Sequence, residues 1–137
     1  MADVPSRSQG LIDTSVLIDL DHIDMGQLPG ELAISALTMA ELAAGPHATR
    51  DTAERARRQD RLQRAEATFD PLPFDGDSAR AYGRMYAAIV ATGRKARGPR
   101  AVDLLIASTA LAKNLPLYTR NIDDFRGIEH LLTVVGV

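Results

Sequence analysis

Short apolar runs alternate with amphipathic segments along this sequence. The runs are bounded by turn or helix-capping residues, which predicts short buried strands at 10–13, 32–35, 72–74, 115–119 and 131–135. Helical spacing predicts helices beginning at Thr14 or Ser15, over 37–44, over 49–69, from Asp75 or Asp77 to Gly93, and from near Asp103. Strands that alternate with helices favour an α/β fold with a central parallel sheet of four or five short strands flanked by helices.

The two long amphipathic segments have different polar faces. The 49–69 segment carries acidic residues four positions before arginines, which is typical of a solvated helix; the pairs are Asp51–Arg55, Glu54–Arg58 and Asp60–Arg64. Its arginines are therefore expected to form surface ion pairs. The following helix has four large apolar residues at core spacing, Tyr82, Met85, Tyr86 and Ile89. Together the two helices offer more apolar surface than a small sheet needs, so we expect a homodimer.

Composition limits the classes of protein to consider. A chain of 137 residues with 45% hydrophobic residues is expected to form one domain, 1–137, with 1–9 as a polar N-terminal extension. There are no cysteines, so disulfides and thiolate metal sites are excluded, in keeping with a cytoplasmic protein. No apolar stretch is long enough for a membrane span, and no glycine-rich phosphate loop indicates a nucleotide cofactor.

Three carboxylates stand alone in apolar surroundings. Asp13 is the only charged residue between Arg7 and Asp19, and Glu41 and Asp103 are similarly isolated. Burying an unpaired carboxylate is costly, and three such residues in a small chain suggest a shared cation. Each residue also has a structural interpretation, since Asp13 and Asp103 could cap helices and Glu41 could belong to a buried ion pair.

The predicted topology brings these carboxylates to one place. Ligands bind outside the carboxyl ends of strands in open parallel sheets, where Asp13 and Glu41 follow the first two strands. Asp103 is expected in the first turn of its helix, and Asn121 and Asp124 follow the strand at 115–119. Oxygen ligands without His or Cys suit Mg²⁺, with Mn²⁺ as an alternative.

Four sequence blocks contain the isolated acids and the polar segment after the strand at 115–119. They are Asp-Thr-Ser-Val-Leu-Ile at 13–18, Thr-Met-Ala-Glu-Leu around Glu41, Asp-Leu-Leu-Ile-Ala-Ser-Thr-Ala from Asp103, and Leu-Tyr-Thr-Arg-Asn-Ile-Asp-Asp-Phe at 117–125. Together they resemble the PIN domain, and more narrowly the VapC toxins of bacterial toxin–antitoxin pairs. The resemblance implies a three-layer sandwich and a Mg²⁺-dependent endoribonuclease that is inhibited by a cognate antitoxin and usually dimeric. It also implies that Asp13, Glu41 and Asp103 bind metal, with Asp124 or Asn121 as the fourth residue.

Roles for individual residues follow from that chemistry. Asp13 and Asp103 are expected to be the principal metal ligands, Glu41 to bind metal or orient the attacking water, and Asp124 to complete the pocket. The hydroxyls of Thr14, Ser15 and Thr119 are candidates for supporting these ligands or contacting phosphate, although Thr14 and Ser15 could simply cap a helix. Candidate RNA contacts are Arg120, Asn121 and three residues of the basic loop at 93–100, namely Arg94, Lys95 and Arg97.

Other activities fit the sequence less well. A haloacid-dehalogenase phosphatase needs a second Asp two residues after Asp13, where this chain has Ser15, and a receiver domain needs a lysine beyond Lys113. The alternative from another class is a PIN-like module that binds RNA or protein without cleavage. The sequence leaves open which RNA is cut, because specificity lies in loop shape and electrostatics rather than in the acids.

Overall fold

The computed structural model describes residues 8–95 and 97–137, which form a four-stranded sheet between two layers of helices. The strands are β1 (Gln9–Ile12), β2 (Glu31–Ala33), β3 (Leu117–Thr119) and β4 (Val134–Gly136). The helices are α1 (Thr14–Ile18), α2 (Ala36–Ala44), α3 (Thr52–Thr68), α4 (Gly76–Ala91) and α5 (Pro99–Ala112). None of the helices in this described part is long and apolar enough to cross a membrane.

The sheet is parallel throughout, with strand order β2-β1-β3-β4. The central strand β1 pairs with β2 on one side and β3 on the other, and Leu11 faces Ala33 and Leu117 in the two registers. The predicted α/β fold with a helix-flanked parallel sheet is confirmed. The sheet also begins inside the predicted polar extension, because Gln9 pairs with Glu31; residues 1–7 of that extension lie outside the described residues.

The strand predicted at 72–74 is wrong. Only Leu72 joins the sheet, through a single parallel bridge to Ser35 in which its N–H donates to the Ile34 carbonyl at 2.9 Å. The pairing goes no further because α2 begins at Ala36, directly after Ser35, so the partner segment becomes helical. The last two strands are present but start later than predicted, at Leu117 and Val134.

Successive residues of strand β1 belong to two separate hydrophobic cores. Leu11 is buried with residues of α4 and α5, whereas its neighbour Ile12 is buried with residues of α1, α2 and α3. Because side chains alternate across a strand, these two cores lie on opposite faces of the sheet. This arrangement is the predicted three-layer sandwich.

Three predictions about the helices need correction. Asp13, not Thr14 or Ser15, is the N-cap of α1. Helix α5 begins at Pro99, so Asp103 lies in its second turn rather than its first. Tyr86 is 47% exposed, so it is not part of the α4 core face.

Two of the three predicted ion pairs of α3 are present. The Glu54–Arg58 pair has an N–O distance of 3.0 Å and the Asp60–Arg64 pair 3.1 Å. Arg55 does not pair with Asp51, because its guanidinium donates to the backbone carbonyls of Pro46 and Thr49.

Two glycines provide a matched test of packing in this fold. A Cβ built on Gly10 would lie 2.5 Å from Cε1 of Tyr118 and 2.8 Å from Cγ of Pro29, whereas nothing lies within 4 Å of one built on Gly83 in α4. We expect Gly10→Ala to lower the free energy of unfolding by about 1–3 kcal/mol through overpacking. Gly83→Ala should raise it by about 0.5–1 kcal/mol, since it removes a glycine from a helix interior. Urea denaturation of both variants measures these effects, and equal destabilisation by the two would contradict the packing at β1.

Candidate active site

Asp13 lies at the carboxyl end of the central strand and is only 5% exposed. Its Oδ1 accepts the Val16 N–H at 3.1 Å and the Ser15 hydroxyl at 2.6 Å. Its own N–H donates to the carbonyl of Tyr118 on β3, which ties it to the neighbouring strand. The capping interpretation of Asp13 is therefore correct, and the second carboxylate oxygen accepts neither of these bonds.

Glu41 reaches the same edge from α2. The side chain is exposed, yet its Oε1 accepts a hydrogen bond of 2.6 Å from the hydroxyl of Thr14. Thr14 is the first residue of α1, so this bond joins α1 to α2 next to Asp13. Among the ion pairs of the described residues none involves Glu41, and the buried ion pair considered for it is not formed.

Asp103 is half-buried on α5, and its pKa is shifted by the other carboxylates. Its pKa is raised from 3.8 to about 6, first by burial and then by the negative charges of Asp124, Asp13 and Glu41 in that order, while Arg100 opposes them. The other three carboxylates therefore lie near enough to Asp103 for their charges to act on it.

Asp124 and Asn121 follow β3 in a short 3₁₀ turn, Ile122–Phe125. Asp124 is half-buried, and its charge acts on Asp103, whereas Asn121 is the exposed N-cap of the turn. The N–H of Asn121 donates to Oγ1 of Thr119 at 3.0 Å, and Thr119 is fully buried. The Thr119 hydroxyl therefore supports the turn from inside the fold, and the phosphate contact considered for it stays a prediction.

A cleft of about 400 Å³ combines two of the carboxylates with cationic side chains. Its lining residues are Lys95, Arg97, Arg100, Asp103 and Asp124. Arg100 was not among the predicted site residues. The signal for it was its position three residues before Asp103, which places both on one helix face once α5 is known to start at Pro99.

Two predicted RNA contacts are held by the protein itself. Nη1 of Arg94 donates to the Arg126 carbonyl at 2.9 Å, and Arg94 does not line the cleft. Nε of Arg120 lies 3.4 Å from Oδ2 of Asp19, and the Arg120 backbone N–H donates to the Ser15 hydroxyl. Both arginine side chains are therefore engaged by groups of the protein itself in this structure.

The donors at this edge fit a hard divalent cation. Carboxylate and hydroxyl oxygens are the ligands that Mg²⁺ and Mn²⁺ prefer, and a cation would relieve the repulsion recorded at Asp103. Within 8–95 and 97–137, no three His, Cys, Asp or Glu side chains are grouped so that they could hold an ion directly. Mg²⁺ commonly binds through one or two carboxylates and keeps several waters, so this spacing remains suitable.

Comparison with known proteins agrees with this geometry. Residues 10–131 match the PIN domain family. The chain is 34% identical over 128 residues to ribonuclease VapC5 of Mycobacterium tuberculosis, covering 91% of each protein, and 36% identical over 105 residues to ribonuclease VapC8 of the same species, covering 76% of this chain and 92% of the relative.

A solved structure gives the same result. The fold matches a crystal structure of VapBC-5, a member of the VapBC family of toxin–antitoxin systems from M. tuberculosis, with a TM-score of 0.84 and 32% identity, covering 95% of this chain and 99% of that one. The chain therefore belongs to the PIN domain family and, within it, to the VapC ribonucleases.

Proposed function

We propose that this protein is a divalent-metal-dependent endoribonuclease toxin that hydrolyses RNA phosphodiester bonds in the cytoplasm and thereby blocks translation and growth. The observation that carries the proposal is the raised pKa of Asp103, about 6, caused by burial and by three other carboxylates. Asp103 and Asp124 line one cleft with three cationic side chains, and this combination suits a site that takes a metal ion and a phosphate together.

Mg²⁺, or Mn²⁺ in its place, would be held by Asp13 and Asp103, with Glu41 and Asp124 contributing directly or through water. When bound, such an ion activates water and neutralises charge on the phosphate oxygens. Asp13 suits this role because the Val16 N–H and the Ser15 hydroxyl fix one of its oxygens. Glu41 is held by Thr14 and is proposed to accept a proton from the attacking water. Asp124 adds a negative charge near Asp103.

The RNA backbone is proposed to enter along the cationic side of the cleft. Lys95 and Arg97 are exposed, while Arg100 is half-buried on the first turn of α5, closest in sequence to Asp103. Arginine can donate two parallel hydrogen bonds to a phosphate, so Arg100 is suited to the phosphate at the cut and the exposed pair to its neighbours. Asn121 is exposed beside Asp124 and is assigned a contact on the opposite rim.

Metal dependence provides the direct test. Purified protein, free of antitoxin, should cleave a mixed RNA substrate in Mg²⁺ or Mn²⁺ and lose cleavage completely in EDTA, with recovery when either metal is restored in excess. The reaction is followed by gel and by sequencing of the cut ends, which also identifies the RNA class. Cleavage that persists in EDTA would contradict the metal role. RNA that is bound but remains intact in Mg²⁺ would favour the non-catalytic binding module.

An antitoxin protein is proposed as the regulatory partner. A groove of about 580 Å³ lies between α1 and α3, with apolar residues such as Leu17 and Phe69 at its base and Arg61, Arg64 and Asp21 on its walls. A segment with an apolar face and acidic flanks would complement this surface. The groove adjoins the carboxyl-terminal end of α1, at Leu17 and Ile18, and the start of β2.

A homodimer is proposed through α4. Tyr86 and Val90 are 47% and 54% exposed and lie one helical turn apart, which forms an apolar strip on the outer face of this helix. A second copy of the chain would cover this strip without closing the cleft at α5, because the buried face of α4 is the one that packs on α5.

A further inference from the structure

Glu41 is an exposed glutamate that the fold nevertheless holds in one position. A side chain of this length on a helix surface normally samples several rotamers, and ordering it costs conformational entropy. Here Thr14 holds Oε1 at 2.6 Å, and Oγ1 of Thr14 is in turn 3.1 Å from Oγ1 of Thr38. Thr38 is completely buried in α2, so the contacts lead from the acid into the core.

The protons along this chain of hydroxyls have one consistent direction. Thr14 has a single hydroxyl proton, and a carboxylate only accepts hydrogen bonds, so that proton belongs to the contact with Glu41. The contact between Thr14 and Thr38 then requires Thr38 to be the donor. The Ser35 hydroxyl, 3.4 Å from Oγ1 of Thr38, can donate to it in the same sense. Each hydroxyl therefore points its proton towards Glu41.

The helix cap does not explain the Thr38 hydroxyl. Ser35 is the N-cap of α2, and its oxygen accepts the backbone N–H of Thr38 at 3.1 Å. That bond uses the backbone of residue 38 and would be made by any residue there. A valine would fill the same volume but could neither accept from the Ser35 hydroxyl nor donate to Thr14, and only the second of these bonds leads to Glu41.

We propose that Thr38 is a positioning residue, which orients the Thr14 hydroxyl and through it fixes the Glu41 carboxylate towards the other three acids. Its donated hydrogen bond selects the Thr14 rotamer that serves Glu41, and the surrounding core holds Thr38 itself in place. The inference rests on the proposed function, because it assigns Thr38 a part in metal binding and cleavage. Thr38 does not touch the metal or the RNA.

The test compares two buried threonines. Thr38→Val removes the hydroxyl with little change of volume, and Thr38→Ser keeps the hydroxyl. The control is Thr109→Val in α5, also fully buried, whose hydroxyl bonds only to the Leu105 carbonyl of its own helix. We expect Thr38→Val to weaken Mn²⁺ binding, measured by calorimetry without RNA, by about 10-fold and to lower kcat by about 10- to 100-fold. Thr38→Ser and Thr109→Val should both resemble the wild type.

A second variant keeps the proposal testable if Thr38→Val does not fold. Thr14→Val removes the next hydroxyl in the same series of hydrogen bonds, at a half-buried position, and should show the same loss of Mn²⁺ affinity. When all variants fold, the double variant should lose no more than Thr14→Val alone, because both changes break one chain. Equal Mn²⁺ affinity and equal kcat for Thr38→Val and Thr109→Val would overturn the inference.

Failure of the proposed function gives a different result. In that case the wild-type protein itself would not cleave RNA in either metal, whatever the variants did. If the wild type cleaves and only Thr38→Val behaves like its control, the nuclease stands and the role of Thr38 is wrong.

Discussion

Replacing Asp103 with asparagine should abolish RNA cleavage while leaving RNA binding nearly intact. Asp103 is proposed as a principal metal ligand, and losing about 4 kcal/mol of metal-derived stabilisation of the transition state corresponds to a fall in kcat on the order of 10³-fold. Single-turnover cleavage at saturating RNA measures the effect. RNA affinity, measured in Mg²⁺ by fluorescence anisotropy, should change little, because the cations of the cleft remain.

We expect the same variant to be more stable than the wild type near pH 8 in the absence of metal. Such a gain in stability would exclude unfolding as the cause of the lost cleavage. The folded metal-free protein raises the pKa of Asp103 from 3.8 to about 6, so it binds that proton more tightly than the unfolded chain does. The resulting stabilisation is fully present below about pH 4 and is lost as the pH rises through about 6. In EDTA, Asp103→Asn should therefore melt above the wild type near pH 8 and together with it near pH 4. A lower melting temperature near pH 8 would mean that the loss of cleavage reflects a damaged fold.

Removing two cationic side chains from the cleft should weaken RNA binding more than removing two from the outer helices. The variant Lys95→Ala/Arg97→Ala should raise the Kd for single-stranded RNA by about 10-fold and reduce the slope of log K against log salt by about 1.4, or roughly 0.7 for each lost phosphate contact. The rate at saturating RNA should change much less.

The matched control removes the same charge from the outer helices. Arg57 and Arg80 are exposed and pair with Glu54 and Asp77 on their own helices, so replacing both with alanine changes the net charge equally. This control should leave the salt dependence almost unchanged. A similar loss in both variants would show that RNA responds to overall charge rather than to the cleft.

Much of the fold could be predicted because the strand signals are local. Buried apolar runs bounded by turns identified β1 through β4, and the isolation of Asp13 and Asp103 within such runs marked them as unusual. The prediction of a strand at 72–74 failed because the partner segment becomes α2 directly after Ser35. A short apolar run does not show whether a partner strand continues beside it.

The supporting residues of the site could not be predicted, because they depend on distances between elements. Thr38 is an ordinary residue of an amphipathic helix until α1 brings Thr14 to within 3.1 Å of it. Arg100 could be assigned to the same helix face as Asp103 only once α5 was known to begin at Pro99. Likewise, only the structure shows that Asp124 lines the cleft with Asp103 while Asn121 is exposed, and the choice of the fourth residue stays a prediction.

The position of β3 in the sheet has a consequence for protein synthesis. Asp13, Glu41 and Asp103 have all been translated by the end of α5, but β3 must still emerge before it can pair with β1 and bring Asp124 into the cleft. A nascent chain that stops at α5 lacks the strand that accepts the Asp13 N–H. Because such long-range pairing is completed late, the cleft cannot contain Asp124 until β3 has joined the sheet.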